Sequence, residues 1–319
     1  MQAAPRPKVV CAWDLSVAGD HLGSLADVAD IIVVEPTREA IAAALPGAVA
    51  YLATLHVRFT DDLLALAPDL KVIGTPSTGL DHLDMPSLQQ RNVQVIGLKD
   101  ETAFLDDITS TAELAWGLIL ACVRHIPPAH AAAVQGRWAR DAYRGRQLAG
   151  QTLGILGVGR LGRMMATYAQ AFRMRVIGCD HRPITTPHVQ PATLDQLLAQ
   201  SDILTIHIHL TDDNRNLINR DRINAMKPGA VLINTSRGGI IDELALRDAL
   251  LNNHLAAAGL DVIDGEWRTD LADHPLIAYA RDHDNLTITP HIGGVTDEAQ
   301  QITCAFTANR VAAALTNLP

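Results

Sequence analysis

Aromatic side chains are scarce, at 4% of 319 residues, while alanine, leucine, valine and isoleucine dominate an apolar fraction of 48%. That balance disfavours a β-sandwich and favours helices packed on a buried parallel sheet. Cysteine is scarce too. Cys11, Cys122, Cys179 and Cys304 stand far apart, with no CxxC pair. This argues against a zinc site or a disulfide framework and for buried free thiols in a reducing cytoplasm. Basic charge is in deficit, 26 Lys and Arg against 35 Asp and Glu, for a net charge of −9. The footprint of a nucleic-acid binder is therefore missing. No long hydrophobic run occurs: the most apolar helical stretch, residues 112–123, contains Glu113 and is too short to span a bilayer. The first residues carry no signal-peptide h-region, so a cytoplasmic chain without membrane contact is expected. Charged residues at 19% beside so much apolar material exclude wholesale disorder, and the length suits two domains.

What is present is a βα alternation, twice over. Lys8–Trp13, Ile31–Glu35, Ala48–Leu52, Lys71–Gly74 and Val93–Gly97 read as strands, with helices such as Arg38–Leu45 and Thr60–Ala67 between them. A long apolar helix over 110–124 follows, for which Thr109 or Ser110 supplies a cap and Glu113 a capping-box partner. Pro127-Pro128 break or restart it. A second series begins near Gln151. Its strands are Thr152–Leu156, Arg175–Cys179, Ile203–His207, Val231–Asn234, Ala256–Leu260 and Leu286–Thr289, and a last helix covers Thr296–Leu315.

The strongest local signal is Gly157-Val158-Gly159-Arg160-Leu161-Gly162. A lone GxGxxG is weak evidence. This one has a strand before it, a helix after it, and Asp180 at the end of the next strand, 23 residues beyond Gly157. The glycines permit a tight turn, close approach to a pyrophosphate and close helix–strand packing. The amides of Arg160 and Leu161 sit at a helix start, where the dipole favours phosphate. Asp180 suits the ribose hydroxyls of NAD and repels the 2′-phosphate of NADP, although Arg182 nearby is able to meet such a phosphate.

Ligands of open parallel sheets sit outside the carboxyl ends of the strands. Arg237, an acidic cluster running to Glu266, and His291 each follow a strand there. The trio suits a 2-oxo acid. Arg237 binds the carboxylate with a planar fork of donors. His291 gives a proton to the carbonyl oxygen as hydride arrives, and a carboxylate beside it favours the protonated ring.

These motifs have an order that resembles a known family. Ser77-Thr78-Gly79-Leu80-Asp81-His82-Leu83-Asp84, Thr111-Ala112-Glu113-Leu114, Leu153–Gly162, Met226–Gly238, Gly259-Leu260-Asp261-Val262 and Thr289-Pro290-His291-Ile292-Gly293-Gly294 resemble the D-isomer-specific 2-hydroxyacid dehydrogenases. The resemblance implies two Rossmann-like βα domains with parallel sheets. An NAD-binding domain, residues 101–287, is inserted into a discontinuous flavodoxin-like substrate domain, residues 1–100 and 288–319, and the cleft between them closes on substrate. It implies Arg237, Glu266 and His291 as the catalytic set, with Asp261, Thr235, Ser236 and Gly293 about the nicotinamide. The amides of Thr78 and Gly79 would join Arg237 on the substrate carboxylate. It further implies a homodimer through helix 110–124 and arm 127–150, acting on a small 2-hydroxy or 2-oxo acid. Lactate, glycerate, phosphoglycerate, glyoxylate and hydroxypyruvate chemistry all remain open, and so does an NAD-sensing role like that of corepressors with this fold. The chain is too short for the extra C-terminal regulatory domain of some phosphoglycerate dehydrogenases. Two positions depart from the family pattern: Trp267 and His209 stand where proline is usual. His207 and His209 form no metal motif with carboxylates or cysteines, and no metal is expected.

Overall fold

The computed structural model describes residues 5–18 and 22–318. The chain divides into two compact units, one of residues 1–108 with 295–319 and one of residues 109–294.

The first unit is built on five parallel strands: β1 (Lys8–Cys11), β2 (Asp30–Val33), β3 (Ala50–Leu52), β4 (Val72–Gly74) and β5 (Gln94–Ile96). Their order is β2-β1-β3-β4-β5, the flavodoxin order. Both faces are covered. Leu25, Cys304, Ala308 and Val311 pack on one, and Ile41, Leu63, Leu64 and Leu88 on the other. Helix starts are fixed locally: Thr37 accepts from the Ala40 amide, Asp84 from Ser87 and Thr296 from Ala299.

The second unit carries seven parallel strands: β6 (Thr152–Leu156), β7 (Arg175–Cys179), β8 (Gln190–Pro191), β9 (Ile203–Ile206), β10 (Ala230–Asn234), β11 (Leu255–Leu260) and β12 (Leu286–Ile288). The order β8-β7-β6-β9-β10-β11-β12 is the doubly wound dinucleotide-binding order with one strand added. Every residue of β6, β9 and β10 is buried, which explains why they read as continuous apolar runs. The Ser110–Val123 helix covers one face with Ala115, Leu118, Ile119 and Cys122. It ends at Arg124, and a left-handed His125 (φ 52°) leads into a second helix, Ile126–Ala133, with its prolines in the first turn.

Three details differ from the sequence reading. The unit boundaries fall at 108/109 and 294/295 rather than 100/101 and 287/288. Phe104 stacks on Phe306 and Arg310 pairs with Glu101, which ties residues 101–105 to the C-terminal helix. Residues 289–293 stay with the second sheet through hydrogen bonds to Asp261. At the long helix, Thr109 holds the cap position without a side-chain cap bond and donates instead to Glu113 Oε1 at 2.5 Å. Ser110 lies inside the helix, buried, with no partner for its hydroxyl among the described residues, so it forms no capping box. Strand β8 went unread.

All four cysteines are unpaired. Burial pushes the Cys11 thiol up to about 11 and those of Cys122 and Cys304 up to about 12. They are inert at neutral pH. Among the described residues no helix is long and apolar enough to cross a membrane, and no group of three or more His, Cys, Asp or Glu is placed to hold a metal.

Candidate active site

The glycine loop leaves β6 at the carboxyl edge of the second sheet. Gly157 has φ 92°, and a Cβ there would lie 2.4 Å from the His207 carbonyl oxygen, so only glycine fits. A Cβ on Gly162 would meet the Gly157 carbonyl oxygen at 2.2 Å, which lets the Arg160–Ala171 helix begin directly against the strand. Gly159 is different: a Cβ there would meet nothing within 4 Å. Its backbone borders open space, at a helix start with no side-chain cap. Arg160 and Leu161 are the first two residues of that helix. This is a cradle suited to a phosphate group.

Asp180 closes the loop from the end of β7. Its Oδ2 accepts from the Val158 amide at 2.7 Å and its Oδ1 from the Arg182 amide at 2.9 Å. The carboxylate is thus fixed beside the glycine loop, with His181 at 3.1 Å as a further partner.

The turn after β10 is shaped by Asn234, which is fully buried. Its Nδ2 donates to the Arg237 carbonyl and its Oδ1 accepts from the Ser236 amide. Ser236 Oγ donates to the Ile206 carbonyl of β9. The Thr235 hydroxyl is buried and has no partner among the described residues. An orphaned hydroxyl and an open glycine cradle on one strand-end edge fit a dinucleotide.

After β11, Asp261 is 1% exposed and gathers the segment that follows β12. Its Oδ1 accepts from Thr289 Oγ1 at 2.6 Å and from the Ile292 amide at 2.9 Å, and its Oδ2 from the Gly293 amide at 2.8 Å. Burial pushes this carboxyl up, against the pull of those three bonds. Thr111 adds a bond from its hydroxyl to the Gly293 carbonyl. His291 is held in a left-handed conformation, φ 54°, with its amide donating to the Asp261 carbonyl at 2.8 Å. Such a backbone persists only where its surroundings impose it. The result is an imidazole whose Nδ1 lies 2.7 Å from Glu266 Oε1. Glu266, as a carboxylate, can only accept, so Nδ1 carries the proton, and Nε2 has no partner among the described residues.

The second unit therefore brings Gly157, Gly159, Gly162, Asp180, Thr235, Ser236, Arg237, Asp261, Glu266, His291 and Gly293 to one sheet edge, because β6, β7, β10, β11 and β12 are parallel. In the first unit, Thr78 and Gly79 follow β4 in a half-buried turn pinned by Ser77 Oγ donating to the Gly79 carbonyl at 2.8 Å. Among the described residues their amides find no acceptor. His207 lies just past the end of β9, its Nε2 on Thr205 Oγ1 at 2.8 Å and its Nδ1 buried without a partner among the described residues. Burial drives this ring down to about 4, so it stays neutral.

Comparison with known proteins agrees with this edge. Residues 116–293 match the family model described as "D-isomer specific 2-hydroxyacid dehydrogenase, NAD binding domain". The chain belongs to the D-isomer-specific 2-hydroxyacid dehydrogenase family. It is 38% identical over 245 residues to the hydroxypyruvate reductase of Thermotoga maritima, covering 76% of this chain and 77% of that protein. It is 35% identical over 295 residues to the D-3-phosphoglycerate dehydrogenase of Mycobacterium bovis, covering 89% of this chain and 52% of that one. The chain thus spans about half the length of that phosphoglycerate dehydrogenase. The crystal structure of the D-lactate dehydrogenase of Aquifex aeolicus complexed with NAD and lactic acid matches at TM-score 0.85 and 27% identity, covering 97% of this chain and 95% of that chain. As a family member the chain is an NAD-dependent oxidoreductase.

Sequence reading missed the residues that brace this dehydrogenase's site: Asn234, Thr289, Glu243 and His274. Glu243 reads as an ordinary acid in a first helical turn, and only the fold shows what it faces.

Proposed function

We propose that this dehydrogenase interconverts a D-2-hydroxy acid and its 2-oxo acid, with His291 and Glu266 as the acid–base pair and Arg237 on the substrate carboxylate. The 2.7 Å bond from His291 to Glu266 carries the reading, since it fixes the ring and leaves Nε2 unengaged. Bound NAD supplies or accepts the hydride. In reduction, Nε2 gives its proton to the carbonyl oxygen while Glu266 stabilises the positive ring; in oxidation, neutral Nε2 takes the hydroxyl proton. Arg237 and the Thr78 and Gly79 amides hold the carboxylate and so orient the reacting carbon. The glycine loop and the Arg160 and Leu161 amides hold the pyrophosphate, and Asp180 the ribose hydroxyls. Thr235, Ser236, Asp261 and Gly293 border the nicotinamide. In Asp261 and Ser236 the side chains already serve the turn itself, so their part is to keep that border in place.

A homodimer fits the surface. Ile126, Val134 and Trp138 in the 126–138 arm are 51%, 70% and 86% exposed, an apolar display that a second copy would cover. Light scattering at micromolar concentration giving twice the chain mass checks this.

The decisive experiment is NADH oxidation with a panel of 2-oxo acids: glyoxylate, hydroxypyruvate, pyruvate, 2-oxoglutarate, phenylpyruvate and 3-phosphohydroxypyruvate. Turnover of one of them, cut by about 100- to 10,000-fold in His291→Asn with NADH affinity kept, is the expected result. NADH bound without turnover of any acid would instead favour a sensor. NADPH run in parallel tests Asp180: in Asp180→Ala the preference for NADH falls by about tenfold.

A further inference from the structure

A second histidine–carboxylate pair adjoins the loop that carries Glu266. Glu243 opens the Glu243–Leu251 helix, six residues after Arg237. Its Oε1 accepts from the Asp264 amide at 2.7 Å, and its Oε2 lies 3.1 Å from His274 Nε2. His274 Nδ1 accepts from the Leu276 amide at 3.2 Å, so the ring's proton sits on Nε2 and points at Glu243. The side chains are 14% and 4% exposed.

What this pair holds is the strand-end loop that carries Glu266. Asp264 is two residues before Glu266, and the loop lies hard against the turn after Arg237. A Cβ on Gly238 would stand 2.1 Å from both the Asp264 nitrogen and the Ile263 carbonyl carbon. Arg215 fastens the same loop from outside, donating to Asp264 Oδ2 at 3.1 Å. One carboxylate therefore joins the chain that follows Arg237 to the chain that ends in Glu266, and His274 keeps that carboxylate in place.

We infer that Glu243, held by His274, is a positioning residue for catalysis: it sets the height of the Glu266 loop and thereby the bond between Glu266 and His291. The inference rests on the acid–base reading of that bond given above. The charges around the pair are consistent with it. Burial, with the Asp264 and Glu266 carboxylates, pushes Glu243 up to about 7, against the Asp264 amide bond. Desolvation lowers His274, with Arg268 acting in the same sense and the Asp264 backbone and carboxylate opposing.

The test is a double-mutant cycle on the intact dehydrogenase. Glu243→Gln keeps the shape and removes the charge that accepts from His274. Its kcat falls by about 10- to 100-fold while KM for NADH stays within twofold of wild type. In a Glu266→Gln background the same change costs less than twofold, because there is no longer a catalytic bond to position. The alkaline limb of the kcat/KM profile for reduction moves to lower pH in Glu243→Gln, as it does in Glu266→Gln. Losses that multiply across the cycle, or an unchanged kcat in Glu243→Gln, overturn the inference.

A readout independent of turnover is the downfield proton resonance of His291 Nδ1–H, assigned by its disappearance in His291→Asn. Loss or broadening of that signal in Glu243→Gln supports positioning, and an unaltered signal overturns it. Should Glu243→Gln fold poorly, His274→Gln probes the same link. A wild-type protein that turns over no acid defeats the acid–base reading alone, and the resonance still decides the role of Glu243.

Discussion

His291–Glu266 and His274–Glu243 are the same chemical pair in two settings. Each joins an imidazole to a carboxylate within about 3 Å, 2.7 Å in one and 3.1 Å in the other. The His291 ring is 25% exposed, and its Nε2 has no partner among the described residues. The His274 ring is 4% exposed, and both of its nitrogens are engaged. The first can pass a proton outward. The second can only hold its neighbours. Bond length says little about which pair does chemistry; a nitrogen left open at a strand end says much more.

The contrast can be broken by deleting each ring. His291→Asn removes turnover by about 100- to 10,000-fold, as above, and leaves the melting temperature within about 2 °C, since a half-open ring contributes little packing. His274→Asn reverses the ledger. It removes a ring that is 4% exposed and bonded at both nitrogens, and costs on the order of 1–3 kcal/mol of stability, read by chemical denaturation, while Asn234 and Asp261 still hold the remaining turns. Equal losses of stability in the two variants would erase the distinction.

A smaller effect sharpens it through pH. Glu243 titrates near 7 in the folded chain and near 4.5 when unfolded. Its contribution to stability is thus fully present below about 4.5 and is lost as pH rises through 7. His274 is lowered on folding, so its contribution has the opposite slope, present above its unfolded value of 6.5 and lost as pH falls. In the wild type the two slopes oppose each other as pH falls from 6.5 toward 4.5. In Glu243→Gln only the histidine limb remains, so denaturation curves show stability rising with pH across that window. The gap between the two proteins changes by on the order of 1–3 kcal/mol. Parallel profiles would place the Glu243 charge elsewhere.

Much of this architecture was legible because the information was local. Thr152–Leu156 and Val231–Asn234 are buried on both faces and read as unbroken apolar runs. The glycine loop declares itself by spacing, and Arg237, Glu266 and His291 by following strands. What escaped depends on distant partners. Gln190–Pro191 is an exposed two-residue edge strand that leaves no pattern. The ends of the two units are set by Phe104 on Phe306 and by Asp261 gathering residues 289–293, pairings of residues far apart in the chain. Thr109 and Ser110 are both plausible caps by type, and only the backbone decides between them. Asn234 and His274 are polar residues folded back into the interior, and no short-range periodicity marks a residue for that fate.

The hold of Asp261 on the segment after β12 also ties the reaction to a single edge strand. Residues 261 and 291 meet only when β12 has docked beside β11, at the far edge of a seven-stranded sheet. Release of that edge strand would leave the glycine loop on β6 untouched and set His291 adrift. Turnover therefore requires β12 in its place, and loss of activity on partial unfolding reports the release of that one edge strand.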